Sequence, residues 1–404
     1  MSVTRRQFGG LLGASIGSIA LRGYAAQGKE NVHFSHGVAS GDPLQDRVIL
    51  WTRVIPGDLL PRRIKVAWEV STNDQFTKVV KKGRAFADPS ADFTVKVDAQ
   101  GLKPSHKYFY RFMAEDVSSC IGITKTLPKG DVNQFRIGLA SCSNFPQGYF
   151  NAYRDMASQD LDLVLHLGDY IYEYPDGEYA NQEALDRLNR HVRPTHEILT
   201  LDDYRTRYGL YRTDKNLQAV HQRHPFICVW DDHELTNDTW KTGAENHNKG
   251  EGDFLSRIRA ARQAYHEWMP IRTNSSGNQG PIFRSFQIGD LADLIMLDTR
   301  FHGRDRGLNY HEDISQLMQW FDKSDPSNIK KITWEEAKSL PQSSRELLKL
   351  PFDYSADKPL SSLDYNALKK ISSTSLGDEW INQSDLRAFE SEILGDKNRT
   401  ILGK

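Results

Sequence analysis

Cysteine is scarce in this chain: Cys120, Cys142 and Cys228 are the only three among 404 residues. Three thiols cannot form a disulfide framework, and within a monomer at least one stays unpaired. Long hydrophobic runs are lacking too. Beyond the N-terminus no apolar stretch reaches the ~18 residues that suggest a membrane span, and mean hydropathy is −0.60. Those two facts exclude a multi-pass membrane protein. Neither sign of charge prevails: 52 basic side chains balance 53 acidic ones, a formal net charge of −1. That balance argues against a polyanion binder held by a large basic surface. A compact anion site needs only a few local charges and stays open. No internal repeat is evident.

What is present suits a folded chain. Apolar residues make up 38% and charged residues 26%, enough to bury a sizeable core. At roughly 100–200 residues per domain the length suggests two or three domains. Residues 1–26 read as a targeting segment rather than as fold. Twin arginines, Arg5 and Arg6, precede Phe8; an uncharged stretch follows from Gly9 to Leu21; Ala25 and Ala26 offer a cleavage site. This resembles a twin-arginine export signal, and an N-terminal amphipathic helix is the competing reading. The resemblance implies a folded, metal-loaded enzyme placed in the periplasm or secreted, with the export machinery as a partner and no membrane span after signal removal. Gly13-Ala14-Ser15-Ile16-Gly17 matches a hydrolase nucleophile pattern. It is rejected because no strand precedes it and it lies within the segment that is removed.

Residues 32–130 read as all-β. Ile64, Val66, Trp68 and Val70 alternate with polar residues, as do Phe93, Val95 and Val97, and Tyr108, Tyr110 and Phe112. Period-two alternation places one face of each strand on a core. Pro56-Gly57, Lys82-Gly83 and Gly101–Pro104 read as the turns between them. Regular spacing over ~95 residues suits a β-sandwich. The spacing of Leu102, Pro104 and Tyr108 is similar to the tyrosine corner of fibronectin-type sandwiches. From residue 134 the rhythm becomes strand, helix, strand. Apolar runs at Phe135–Ala140, Leu161–Leu167, Pro225–Trp230, Phe283–Ile288 and Leu291–Leu297 are separated by helical patterns at Tyr149–Ser158 and 253–268. That alternation predicts a layered α/β domain. Residues 303–404 are Ser- and Lys-rich, with short helical patches such as Trp334–Leu340, and define no clear unit.

The strand ends carry the chemistry. Four apolar runs stop at Ser141-Cys142, at Gly168-Asp169-Tyr170-Ile171-Tyr172, at Asp231-Asp232-His233-Glu234 and at Asp298. In α/β sheets ligands collect at the carboxyl ends of strands. Each ending has a plainer reading: a buried small thiol, a Gly-Asp turn, a core tyrosine, or a local ion pair between Asp298 and Arg300. Two adjacent carboxylates are harder to dismiss, since Asp231 and Asp232 repel unless a cation or several donors lie between them.

Together these stretches resemble the alkaline phosphatase D (PhoD-like) family of metallophosphoesterases. His36–Pro43 and Val48–Arg53 are similar to its N-terminal domain. Ala140–Cys142, Leu165–Tyr174 and Val229–Asn237 are similar to its three metal motifs. The fold class implied is mixed: an N-terminal fibronectin/Ig-like β-sandwich, then a layered α/β metallophosphoesterase domain over 134–404, incomplete. The resemblance implies Cys142 and Tyr172 as thiolate and phenolate ligands of Fe(3+), and Asp169 as the carboxylate bridging iron to Ca(2+). It implies Asp232 as a ligand on the calcium side, with Asp231 as runner-up, and His233 as the catalytic imidazole that meets the phosphate. Thiolate and phenolate suit a trivalent ion, and carboxylate oxygen suits calcium. The implied reaction is hydrolysis of phosphate mono- or diesters by metal-activated hydroxide, with no covalent enzyme intermediate.

One feature departs from the family pattern. Its site is completed by downstream histidines, but His302 and His311 are the last here and neither follows Gly-Asp-x. Arg399–Lys404 is similar to the start of a family segment that normally continues. The sequence therefore implies about half a site, and weak metal binding and poor turnover by the isolated chain. The alternative is a truncated non-catalytic remnant with at most weak metal or anion binding. A binding module built on the sandwich is a third reading with no positive feature of its own. Sequence leaves open the natural ester, monoester against diester, the metals loaded and the oligomeric state.

Overall fold

The computed structural model describes residues 32–57, 62–273, 282–306, 318–349, 352–353, 358–359 and 365–372. The export-signal reading at 1–26, His311 and the ending at 399–404 lie outside the described residues. Among the described residues no helix is long and apolar enough to cross a membrane.

The N-terminal strands are β1 (Val38–Gly41), β2 (Arg47–Arg53), β3 (Ile64–Ser71), β4 (Val79–Ala87), β5 (Thr94–Gln100), β6 (Lys107–Ala114), β7 (Val117–Ser118) and β8 (Gly122–Lys125). One sheet runs β4-β3-β6-β7, with β8 also on β6. Strict alternation shows in β6, where Tyr108, Tyr110, Phe112 and Ala114 are buried and the residues between them are not. Tyr108 and Phe112 share one apolar cluster with Val48 and Leu50 of β2 and Val95 of β5. This sheet therefore packs against the β5-β2-β1 group. The expected tyrosine corner is present: the Tyr108 hydroxyl accepts from Lys103 N at 2.9 Å. Lys82-Gly83 is not a turn. It lies inside β4, with Gly83 paired across from Trp68. A Cβ on Gly83 would sit 2.6 Å from the Trp68 ring, so the glycine makes room for the indole.

The β5-β2-β1 group belongs to a larger sheet. Its order is β5-β2-β1-β11-β10-β9, where β9 is Ile137–Ala140, β10 is Leu163–His166 and β11 is Pro225–Cys228. β1 runs parallel to β11 with Gly41 opposite Phe226, and β9, β10 and β11 are mutually parallel. Strand β2 accordingly serves two cores. Leu50 faces the N-terminal cluster, while Trp51, one residue on, joins the cluster holding Val164 and Phe226. That explains why its apolar run is continuous rather than alternating.

Helices α1 (Asn151–Ser158), α2 (Gln182–Leu188), α3 (Leu201–Tyr211), α4 (Lys215–Arg223) and α5 (Phe254–Trp268) connect and flank these strands. α3 starts at a capping box between Thr200 and Asp203. α5 buries Ile258, Ala261, Tyr265 and Trp268 at helical spacing. β12 (Arg284–Ile288) and β13 (Ala292–Met296) form a two-stranded hairpin. Asp298 therefore does not end a strand of the six-stranded sheet. Further on, β14 (Met318–Asp322), β15 (Lys330–Ile332) and β16 (Arg345–Lys349) form a small sheet. A helix α6 (Trp334–Ser339) lies beside it, capped by Thr333 and Glu336.

Candidate metal centre

Parallel pairing puts the carboxyl ends of β9, β10 and β11 on one edge, and backbone bonds hold the loops beyond them together. Leu167 N donates to Ala140 O, Cys142 N to Gly168 O and Ser143 N to Asp169 O, at 2.9, 3.1 and 3.2 Å. Cys142 and Asp169 both have positive φ, 55° and 54°. The chain turns sharply at each, which turns both side chains to a common point.

At that point the structure brings together all five residues singled out from sequence. Asp169, Asp232 and His233 place donor atoms within 4.8 Å of one another. Tyr172 donates its hydroxyl to Asp169 Oδ2 at 3.3 Å. The Cys142 thiol lies near enough to Asp169 and Tyr172 to interact with both electrostatically. Asp231 is turned aside: it pairs with Arg300 at 2.5 Å, and the same guanidinium reaches Asp232 at 3.2 Å and Asp238 at 3.4 Å. The local Asp298–Arg300 ion pair is absent. Asp298 instead accepts from the backbone N–H of Arg300 and Phe301. From His36–Pro43, Asp42 is buried in an ion pair with Arg284 at 2.6 Å, a structural role.

Two carboxylates not assigned from sequence hold this arrangement. Glu234 is buried and accepts from Asp169 N and Asp231 N at 3.0 and 2.8 Å through one oxygen, and from Tyr170 N at 2.6 Å through the other. It fastens the β10 loop to the β11 loop. Glu173, fully buried, accepts from His233 Nδ1 at 2.7 Å, with Asn237 N and Asn246 Nδ2 on its other oxygen at 2.7 and 3.0 Å. His233 therefore has only Nε2 left for a ligand. The signal was present in both motifs: each carries a glutamate that the metal assignment left unused.

The electrostatics describe a site built for cations. Burial pushes the Asp169 carboxyl up, His233 opposes this, and Asp232 and Asp231 push it further. Burial and the Asp169 charge raise Glu234 to about 8 against its three backbone donors. Partial desolvation raises the Cys142 thiol, with Asp169 adding to it. Burial and then Asp169 lift Tyr172 well above the phenol range. Crowded carboxylates beside a thiol and a phenol that hold their protons are a donor set that a metal ion would stabilise and deprotonate. The residues present fit the implied group.

His233 goes the other way. Burial disfavours its charge, but the hydrogen bond to Glu173 and the charges of Glu173, Asp232 and Asp169 outweigh that and hold it at about 9. Its folded value lies above the ordinary 6.5. Its contribution to stability is therefore complete below the unfolded pKa and fades as pH rises through about 9. In metal-free protein, Glu173→Gln is expected to bring the His233 pKa down toward the ordinary range. NMR titration of the imidazole checks this, and an unchanged value would assign the elevation to Asp169 and Asp232 alone.

Family models match both parts of the chain: "PhoD-like phosphatase, N-terminal domain" over residues 19–128 and "PhoD-like phosphatase" over 137–345. Alkaline phosphatase D of Bacillus subtilis (strain 168) is 43% identical over 295 residues, covering 70% of this chain and 50% of that protein. A solved structure titled "Structure of PhoD" superposes with a TM-score of 0.63 at 41% identity, covering 68% of this chain and 53% of that one. The chain spans about half the length of the relatives it matches.

Proposed function

The chain belongs to the PhoD-like phosphatase family, and from that premise we propose that it contributes a metal-dependent site for phosphate-ester hydrolysis. The observation that carries the proposal is the convergence of Cys142, Asp169, Tyr172, Asp232 and His233 on the strand-end loops. In this reading Cys142 and Tyr172 would hold Fe(3+), and Asp169 and Asp232 would offer carboxylate oxygen to Ca(2+), since oxygen donors suit the harder cation. When bound, the metals supply concentrated positive charge for the phosphoryl oxygens and lower the pKa of water.

The chain's own residues do the rest. Glu173 fixes the imidazole of His233 and its charge favours a proton on the ring. His233 thus presents a proton-bearing Nε2 to the oxygen of the leaving group. Arg300 partly neutralises Asp231 and Asp232 at the rim, lowering the repulsion an incoming phosphate meets. The sequence of residues 1–26 alone supports export to the periplasm or medium, for which cell fractionation of the full chain is the check.

Protein loaded with iron and calcium is expected to hydrolyse p-nitrophenyl phosphate or its bis-ester slowly, as suits a chain spanning about half its relatives' length, to lose that turnover on chelation, and to show a visible charge-transfer band. Tyr172→Phe should shift or abolish the band. Turnover that survives chelation would remove the metal reading, and an unchanged spectrum would remove Tyr172 from the site.

A further inference from the structure

Three tyrosines surround His233, and nothing in the hydrolytic reading uses two of them. The Tyr172 ring lies 4.3 Å from the imidazole, Tyr174 lies 5.5 Å away, and Tyr179 lies 6.4 Å away and stacked at 22°. Tyr179 also meets Tyr172 at 5.6 Å and Tyr174 at 5.4 Å. Their exposure differs sharply: Tyr172 is 5% exposed and Tyr179 is 59% exposed. The set forms a wall that starts buried beside the metal donors and ends in solvent.

The backbone beneath the exposed ring is held in place. Tyr179 has φ of 45°, a left-handed conformation that a bulky side chain seldom adopts. Its carbonyl accepts from both Asn144 Nδ2 at 2.8 Å and Gln147 Nε2 at 2.9 Å. Asn144 is tied in turn to the buried Tyr211 hydroxyl at 2.9 Å. A solvent-exposed turn does not need an aromatic ring or two side-chain amides on one carbonyl. An apolar surface kept ready for a ligand does.

Position supplies the rest of the argument. Glu173 occupies Nδ1 of His233, so a phosphate ester meets this imidazole at Nε2. An organic group held there comes within reach of the rings packed about the imidazole. We propose that Tyr179, backed by Tyr172 and Tyr174, is a stacking platform for a planar aromatic leaving group. The site would then favour aryl phosphate esters over alkyl ones. This rests on the phosphate-ester reading of the same site. Tyr179 is a specificity-determining residue in it, with no part in the bond-breaking step.

The test is binding, so it needs no turnover. Phenylphosphonate and ethylphosphonate carry the same anionic head on an aromatic and an aliphatic group, and titration calorimetry on the calcium-loaded full chain compares them. Aromatic stacking gives an expected preference for phenylphosphonate of about fivefold or more. Tyr179→Ala and Tyr179→Leu should each erase that preference while leaving ethylphosphonate affinity unchanged, and Tyr179→Phe should keep it. Equal affinities in the unaltered protein, or a preference that survives both Tyr179→Ala and Tyr179→Leu, would overturn the platform alone. If neither phosphonate binds, the phosphate-ester reading falls and takes the platform with it.

Discussion

Asp169→Asn is expected to strip metal from the protein without unfolding it. Asp169 lies at the centre of the candidate ligands: its carboxylate takes the Tyr172 hydroxyl at 3.3 Å and His233 N at 3.4 Å, its donor atoms lie within 4.8 Å of those of Asp232 and His233, and its charge acts on the Cys142 thiol. Asparagine keeps the shape and tolerates the left-handed backbone at φ 54°, so the change isolates the charge. Loss of an outer-shell partner of a metal already lowers affinity about 10–100-fold. Removing the central carboxylate should lower metal affinity and turnover by at least about a hundredfold. Metal analysis after gel filtration reads the first quantity and p-nitrophenyl phosphate the second.

The same substitution has an opposite effect on the metal-free protein. Burial and then the Asp169 charge raise Glu234 to about 8, against an ordinary 4.5. A carboxyl whose folded pKa is raised contributes fully to stability below its unfolded pKa and loses that contribution as pH rises. Chelated protein should therefore weaken between about pH 4.5 and 8. With one negative charge gone, Asp169→Asn should flatten that slope. Thermal melts in chelator across this window give the comparison. A variant that melts well below the parent at pH 8 would mean that Asp169 holds the fold rather than the metal.

The site was legible in the sequence because its physics is local. An apolar run that stops at Asp169, or at Asp231-Asp232-His233, is a strand whose end carries charge, and parallel sheets gather such ends on one edge. What stayed hidden depends on contacts between distant segments. Glu173 and Glu234 act through backbone N–H groups and an imidazole far along the chain, and a carboxylate in that role has the same letter as one in water. Gly83 looked like a turn because only the pairing shows Trp68 opposite it. Asp298 ends a run as apolar as β10, but that run pairs in a hairpin, so its carboxylate caps a turn. The parallel join of β1 to β11 left no trace in either strand, since each is buried along its whole length and shows no alternation.

Gly168→Ala should be the most damaging single methyl group near the site. Gly168 has φ of 108°, where an L side chain is strained. A Cβ there would lie 2.2 Å from Asp231 N and 2.5 Å from Asp231 Cβ. Neither loop can yield independently. Asp231 N is bonded to Glu234, which also grips Asp169 N and Tyr170 N, and Gly168 O holds Cys142 N. Backbone strain and overpacking each cost about 1–3 kcal/mol, so a loss of roughly 2–5 kcal/mol is expected, together with metal binding. Gly177→Ala is the control: its φ is 89° and nothing lies within 4 Å of the added Cβ. It carries the backbone strain without the collision. Urea unfolding of the chelated variants separates the two contributions. Should both alanines cost the same, the β10 and β11 loops can move apart, and the rigid juxtaposition of Asp169 with Asp232 would have to come from the metal rather than from the fold.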